Sequence, residues 1–169
     1  MIKTHPRVFA RRLRTHIEKR GWIWLLSFLL ISLFTHFYHP AVNRTESLPF
    51  TLFLIERGER NLSVGDYTAF NPKPDSVDGF ELTFVKEIAC GPGQRIEEIN
   101  REIFCDGKKI ALAKTHSKRG DPLDVITSGV IPPDHYFMRG THPDSYDSRY
   151  AKFGLIDRCR FSGKAHPLF

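Results

Sequence analysis

The chain has 169 residues, 41% of them hydrophobic and 26% charged, which suits one packed domain with a short appendage and excludes a low-complexity or disordered polymer. Its formal charge of +6 belongs to residues 1–21, where seven Lys or Arg face one acid, Glu18; the remaining 18 basic and 18 acidic residues cancel. That balance argues against a nucleic-acid-binding domain, whose basic face belongs to the folded part.

The basic arm at 1–21 is followed by Trp22 to Tyr38, WIWLLSFLLISLFTHFY, which contains no Lys, Arg, Asp or Glu. Seventeen residues at 1.5 Å each are the short end of a bilayer span, and Trp22, Trp24 and Tyr38 suit the aromatic belts at its two interfaces. A buried core helix is one alternative, but the run is apolar on every face, unlike a surface helix. A cleaved export signal is another, but the run ends in His36-Phe37-Tyr38-His39-Pro40, with no small-x-small site. The reading is an uncleaved anchor at 22–38. Basic flanks stay cytoplasmic, so 1–21 is expected to be a cytoplasmic arm and 39–169 the exported domain of a single-pass membrane protein; in a bacterium that means the inner membrane, with the domain in the periplasm. Three cysteines fall in that exported part. Cys90 and Cys105 pair, with Cys159 left free, or all three are small buried residues. No Cys-x-x-Cys or His-x-x-x-His spacing suggests a structural metal site.

Along the exported part, residues 40–49 read as a linker ending in Ser47-Leu48-Pro49. Phe50–Ile55 is a short strand closed by Glu56-Arg57-Gly58. Val64-Gly65-Asp66 is a turn before a strand at Tyr67–Phe70, and Asn71-Pro72-Lys73-Pro74 is not central strand. Phe80–Cys90 is the best strand, broken by Gly91-Pro92-Gly93. Arg95–Ile99 and Glu102–Cys105 form a hairpin, and Asp106-Gly107 is a tight turn into Lys108–Leu112. Residues 113–130 are a polar excursion. His135–Arg139 is a strand, and Gly154–Phe161 holds another. Short strands between frequent turns predict a mostly β domain.

Alternating the strand Phe80–Cys90 puts Leu82, Phe84, Lys86, Ile88 and Cys90 on one face, with Glu87 on the other. A lysine in the middle of an apolar face is unusual. Burial disfavours its charged form, and a lysine neutral near working pH is a competent general base. The alternative is a lysine that snorkels at a sheet edge. Ser47 is a candidate nucleophile, because Pro49 stiffens the backbone two residues on and a serine–lysine pair is a known variant of serine catalysis; alone it is equally a loop serine before a turn. The segment Gly140–Gly154, GTHPDSYDSRYAKFG, packs Asp144, Ser145, Asp147, Ser148 and Arg149 into six residues, the composition of a loop held in shape by internal hydrogen bonds.

Ser47-x-Pro49 just beyond an N-terminal anchor, then Phe84-Val85-Lys86-x-Ile88-x-x-x-Pro92-Gly93, then Asp144-Ser145-x-Asp147-Ser148-Arg149-Tyr150 with Gly154, resembles the type I signal peptidases over most of residues 44–169. The ending Gly163–Phe169 resembles their closing strand. The compact Ser-Leu-Pro box, small size and single anchor look most like the TraF subgroup of conjugative-transfer peptidases. The resemblance implies an all-β peptidase domain with one N-terminal transmembrane helix. It implies Ser47 as nucleophile and Lys86 as general base, with Ser145 orienting the lysine. Asp147 and Arg149 would brace the site as an ion pair, and the Thr45 hydroxyl would serve the oxyanion hole beside the Ser47 N–H. Glu87 stands where many relatives carry arginine, and Gly140-Thr141-His142 where broad-range enzymes have Gly-Asp-Asn.

The expected activity is a serine endopeptidase acting on exported precursor proteins, a conjugative pilin precursor above all, with linear or cyclic product. It needs no cofactor or metal, and its partners are the precursor, the bilayer and conjugative-transfer proteins. The alternatives are a general type I signal peptidase and a catalytically inactive component of a conjugative secretion apparatus. A Ser–His–Asp site using His116, His135 or His142 is a further alternative, disfavoured because no Gly-x-Ser-x-Gly elbow occurs.

Overall fold

The computed structural model describes residues 6–77 and 83–169. The chain divides into two units, one ending at Phe37 and the other Tyr38–Phe169. The first is a single helix, α1 (Pro6–Phe37), of 32 residues, hence about 48 Å long. Proline suits its first turn, where the missing N–H would have no helical partner. Residues 6–21 of the basic arm and the apolar run share this helix, so that part of the arm forms its opening turns. Ala10–Phe37 is long and apolar enough to cross a membrane. Trp22, Leu25, Phe28 and Leu29 are all exposed along it, a surface suited to lipid.

The second unit is built of short antiparallel strands. The expected linker at 40–49 is strand in its first part: β1 (Tyr38–Val42) pairs with β2 (Leu52–Arg57) at the edge of a sheet. Pro40 is tolerated there, since an edge strand has one unpaired side. β2 begins two residues later than expected. The turn through Ser47–Pro49 still uses the next two carbonyls: Phe50 O accepts from Asn43 Nδ2 and Thr51 O from Asn43 N–H.

There follow β3 (Tyr67–Phe70), a 3₁₀ turn at Pro74–Val77, and β4 (Phe84–Cys90). The expected start of that strand at Phe80, with Leu82 on its apolar face, lies outside the described residues. β5 (Arg95–Ile99), β6 (Glu102–Cys105) and β7 (Lys108–Leu112) form the predicted hairpins. Asp106 and Gly107 both adopt positive φ at the tight turn, which is why that dipeptide suits it. β8 (Gly129–Val130), β9 (His135–Arg139), β10 (Ile156–Asp157) and β11 (Phe161–Pro167) complete the chain.

One sheet has seven strands in the order β1-β2-β11-β3-β4-β9-β10, the other four in the order β7-β6-β5-β8. Three apolar clusters fill the unit. Cys90, Ile96, Ile103 and Phe137 centre the first, under the smaller sheet. Phe70, Ile88, Met138, Phe153 and Phe161 centre the second. Leu48, Phe53, Ile55, Ala69 and Ala165 form the third. A disulfide between Cys90 and Cys105, at Cα–Cα 5.9 Å, ties β4 to β6, and Cys159 is free and exposed.

Candidate active site

Ser47 sits in the turn between β1 and β2. Its neighbour Leu48 is 4% exposed in the third cluster, so apolar burial pins the turn from below. Ser47 Oγ lies 2.9 Å from Thr45 Oγ1. Asn43 organises the turn: its Oδ1 accepts from Thr45 N–H at 3.1 Å and from Thr45 Oγ1 at 2.9 Å, and its Nδ2 donates to Phe50 O at 3.1 Å.

Lys86 occupies the middle of β4, opposite Thr68 of β3. It points to the face that Phe84 and Ile88 share, as alternation predicts, and is 2% exposed. The Phe84 ring centroid is 5.8 Å from its Nζ. Nζ donates to Ser145 Oγ at 2.8 Å. Loss of hydration pushes the lysine pKa down to about 8; the Asp147 carboxylate works against that shift and the Arg149 guanidinium with it.

The loop after β9 carries the rest. Asp147 is fully buried and accepts from the Arg149 guanidinium, Nε to Oδ1 at 2.8 Å and Nη2 to Oδ2 at 3.0 Å. Its Oδ2 also takes the Gly140 N–H at 2.7 Å, while Arg149 donates to the carbonyls of Gly140, Leu112 and Pro143. A buried charge pair is tolerable only when its remaining valences are met in this way. Ser148 closes the loop by donating to Gly154 O at 2.7 Å and accepting from Met138 N–H at 2.9 Å. Gly140 is required by space: a Cβ there would fall on Ser145 Oγ and stand 2.7 Å from Ser47 O. The Ser47 carbonyl also accepts from His142 N–H at 3.3 Å, so this loop touches the Ser47 turn directly.

Thr45, Ser47, Lys86 and Ser145 line one open cavity of about 470 Å³, with Phe84 and His142 also in its wall. Asp147 and Arg149 stand behind it. Ser47 and Lys86 share the cavity, with hydrogen bonds to Thr45 and Ser145 respectively. Of the three histidines considered, His142 reaches the cavity. Its Nδ1 accepts from Asp144 N–H at 3.1 Å, and Glu46 lies 3.8 Å from its Nε2. His135 is held by Pro133 O and His116 by Thr115. Among the described residues no group of His, Cys, Asp and Glu is arranged to hold a metal ion.

Two features were not foreseen. Asn43 carries only the weak signal of an Asx-type turn residue four positions before Ser47. Glu87, half-buried on the opposite face from Lys86, is met by Arg139 directly across the β4–β9 ladder at 2.5 Å. Its partner therefore comes from another strand, and no spacing within one strand could have shown it.

A mostly β unit that opens a buried lysine and a serine onto one cavity holds the two groups that serine–lysine catalysis requires. The chain belongs to the signal peptidase, peptidase S26 family, whose model matches residues 18–169. It is similar to the "Conjugal transfer protein TraF" of Agrobacterium tumefaciens (strain 15955), 29% identical over 145 residues covering 76% of this chain and 81% of that protein. It is also similar to the "Signal peptidase I P" of Bacillus subtilis subsp. natto, 29% identical over 177 residues covering 96% and 95%. A solved signal peptidase I structure from Enterococcus faecalis V583 is similar at 21% identity and TM-score 0.43, covering 63% of this chain and 98% of that one.

Proposed function

We propose that the chain is a membrane-anchored serine endopeptidase in which Ser47 is the nucleophile and Lys86 the general base, acting on an exported precursor protein, in the first instance a conjugative pilin precursor. The observation that carries the reading is Lys86: a lysine 2% exposed, its pKa brought down to about 8, opening on the same cavity as Ser47. A structural lysine has little reason to be stripped of water without a carboxylate at its nitrogen; a base has every reason.

Neutral Lys86 Nζ takes the proton of Ser47 Oγ as the oxygen bonds to the substrate carbonyl carbon. The electron pair displaced onto the carbonyl oxygen is met by the Ser47 backbone N–H, a preorganised donor of a kind worth about 3–4 kcal/mol. The C–N bond then breaks, and the Lys86 ammonium returns its proton to the leaving amine. The ester left on Ser47 is resolved by water or by an amine, which yields a proton to Lys86 as it attacks; Lys86 returns that proton to Ser47 Oγ as the acyl C–O bond breaks. If that amine is the substrate's own N-terminus, the product is a ring. Ser145 orients Lys86, and Asp147 with Arg149 braces the loop that holds Ser145.

Helix α1 serves as the anchor. Its basic opening turns stay in the cytoplasm and Tyr38–Phe169 faces the periplasm. Tethering raises the effective concentration of enzyme at the surface where a precursor emerges. The conjugal-transfer relatives support a role in conjugal transfer, within which pilin is the precursor proposed, and the signal peptidase I relatives, at equal identity, support a general exported precursor as the second reading.

The test is processing of co-expressed precursors by wild type, Ser47→Ala and Lys86→Ala, read by intact mass. Wild type is expected to cleave the pilin precursor and both variants to leave it whole, with a cyclic product lighter than the linear one by one water. Cleavage by Ser47→Ala would end the serine reading. Trimming of a general secretory precursor alone would favour the second reading. Inactivity on both would favour a structural component of the secretion apparatus.

A further inference from the structure

We infer that Asn43 is a positioning residue that sets the direction of the Ser47 hydroxyl proton, acting through Thr45. The inference rests on Ser47 being the nucleophile and goes on to say how its resting state is held.

The argument is one of proton bookkeeping. The Asn43 side-chain amide faces two kinds of backbone group. One end meets the Thr45 N–H at 3.1 Å, and the other meets the carbonyls of Phe50 at 3.1 Å and Leu48 at 3.5 Å. An N–H requires an acceptor and a carbonyl requires a donor. Oδ1 must therefore face Thr45 and Nδ2 the carbonyls; the flipped amide would set donor against donor and acceptor against acceptor. The Asn43 backbone N–H, bonded to Thr51 O at 2.8 Å, fixes the residue from which the amide projects.

Thr45 Oγ1 lies 2.9 Å from the same Oδ1. An amide oxygen only accepts, so the single Thr45 hydroxyl proton goes to Asn43. Toward Ser47 Oγ, also 2.9 Å away, Thr45 then has only lone pairs to offer. Ser47 is the donor of that bond. In the resting enzyme its proton lies along the line to Thr45, and Lys86 Nζ meanwhile is bonded to Ser145 Oγ. Attack on a carbonyl requires the Ser47 hydroxyl to swing from Thr45 to Lys86. Asn43 keeps the starting point of that swing unique, one hydroxyl orientation in place of two. It also ties the Thr45 position to Leu48 and Phe50, on either side of Pro49. Thr45 thus holds the nucleophile first as an acceptor, and it can offer its proton to an oxyanion only by leaving Asn43.

The test measures steady-state cleavage of a precursor that wild type processes, with kcat and KM separated, for Asn43→Ala, Thr45→Val, Thr45→Ser and the Asn43→Ala/Thr45→Val double variant. Ser47→Ala is the control, and thermal melts are run on every variant. Misplacing a reacting group by about an ångström costs on the order of 100-fold. Asn43→Ala and Thr45→Val are each expected to lower kcat by about 10- to 100-fold with KM within about 3-fold of wild type. Thr45→Ser is expected to restore most of the rate. The double variant is expected to be no slower than Thr45→Val alone, because Asn43 has no proton to direct once the hydroxyl is gone. A purely structural Asn43 would give multiplying losses, through its bonds to Leu48 and Phe50, and that outcome overturns the inference. So does a folded Asn43→Ala cleaving at the wild-type rate. If Asn43→Ala melts too low to assay, the two Thr45 variants decide, and Thr45→Val at the wild-type rate overturns the inference. Activity in Ser47→Ala would instead overturn the reading of the site itself.

Discussion

Lys86 and Lys164 lie on one row of the larger sheet, each directly opposite Thr68 on the strand between them, and they are held in opposite ways. Lys164 keeps its side chain one-third exposed and rests on Asp66 at 2.8 Å, a bond that raises its pKa. Lys86, with a serine hydroxyl at its nitrogen and an aromatic ring beside it, is taken down to about 8. Two strands of separation turn a side chain that stays charged into one that sheds its proton near neutral pH. Sequence position does not make the difference. One ammonium has water and a carboxylate, and the other has neither at its nitrogen.

The largest expected effect is on catalysis. Lys86→Met should lower cleavage by at least ~10³-fold, within the range for loss of a general base, while Lys164→Met leaves the rate unchanged. Equal losses in a cleavage assay would erase the contrast. Next comes the support behind Lys86. Asp147→Ala leaves the Arg149 guanidinium buried without its carboxylate and should cost ~3–5 kcal/mol in a denaturant melt. The milder Asp147→Asn removes a charge that favours protonated Lys86, so the rising, acid-side limb of the activity profile should move to lower pH.

The third effect has the less intuitive sign. The folded-state pKa of Lys86 is about 8 against an ordinary 10.5. The unfolded chain therefore binds the extra proton between those values, and wild-type stability rises with pH across that window. Below pH 8 the full cost of the charge, about 3 kcal/mol from the shift, is present. Lys86→Met should accordingly be more stable than wild type at pH 7 and lose that advantage toward pH 10.5, as read by chemical denaturation. Wild-type kcat/KM should rise through about pH 8 as the base frees its lone pair. A comparable effect on stability alone is expected from Cys90→Ala. The disulfide closes 15 residues, and its loss should cost ~3 kcal/mol. The smallest effect is Lys164→Met, which removes a part-exposed pair and should cost below ~1 kcal/mol, diminishing further in salt.

Much of the architecture was legible in local pattern. Tyr67–Phe70, the three strands from Arg95 to Leu112 and His135–Arg139 announce themselves by alternation between turn residues, and the structure keeps those bounds. The face of Lys86 was legible for the same reason, since a strand has only two faces. What failed depended on partners distant in sequence. β1 contains a proline and has little apolar pattern of its own; it is strand because β2 offers it an edge. Gly129–Val130 is too short to show a period and exists through its pairing with β5. At the site, Ser47, Lys86 and the Ser145–Arg149 loop were marked by odd residues in odd places. Asn43 and Gly140 were not, because their importance lies in which backbone groups they meet.

Arg149 reaches across to the carbonyl of Leu112, and Arg139 to that of Ile110, so alternate carbonyls along β7 serve two arginines, one in the loop after β9 and one at the end of β9 itself. The side chain of Leu112 meanwhile is half exposed. The residue is thus free in one respect and fixed in another: its identity matters little, its main-chain position a great deal. Over evolutionary time position 112 can drift among side chains that keep a strand, while any single insertion or deletion between Lys108 and Ala113 would move the wrong carbonyl under the arginine. A mutational scan of β7 would therefore record permissive substitution beside a strict prohibition on changes of length.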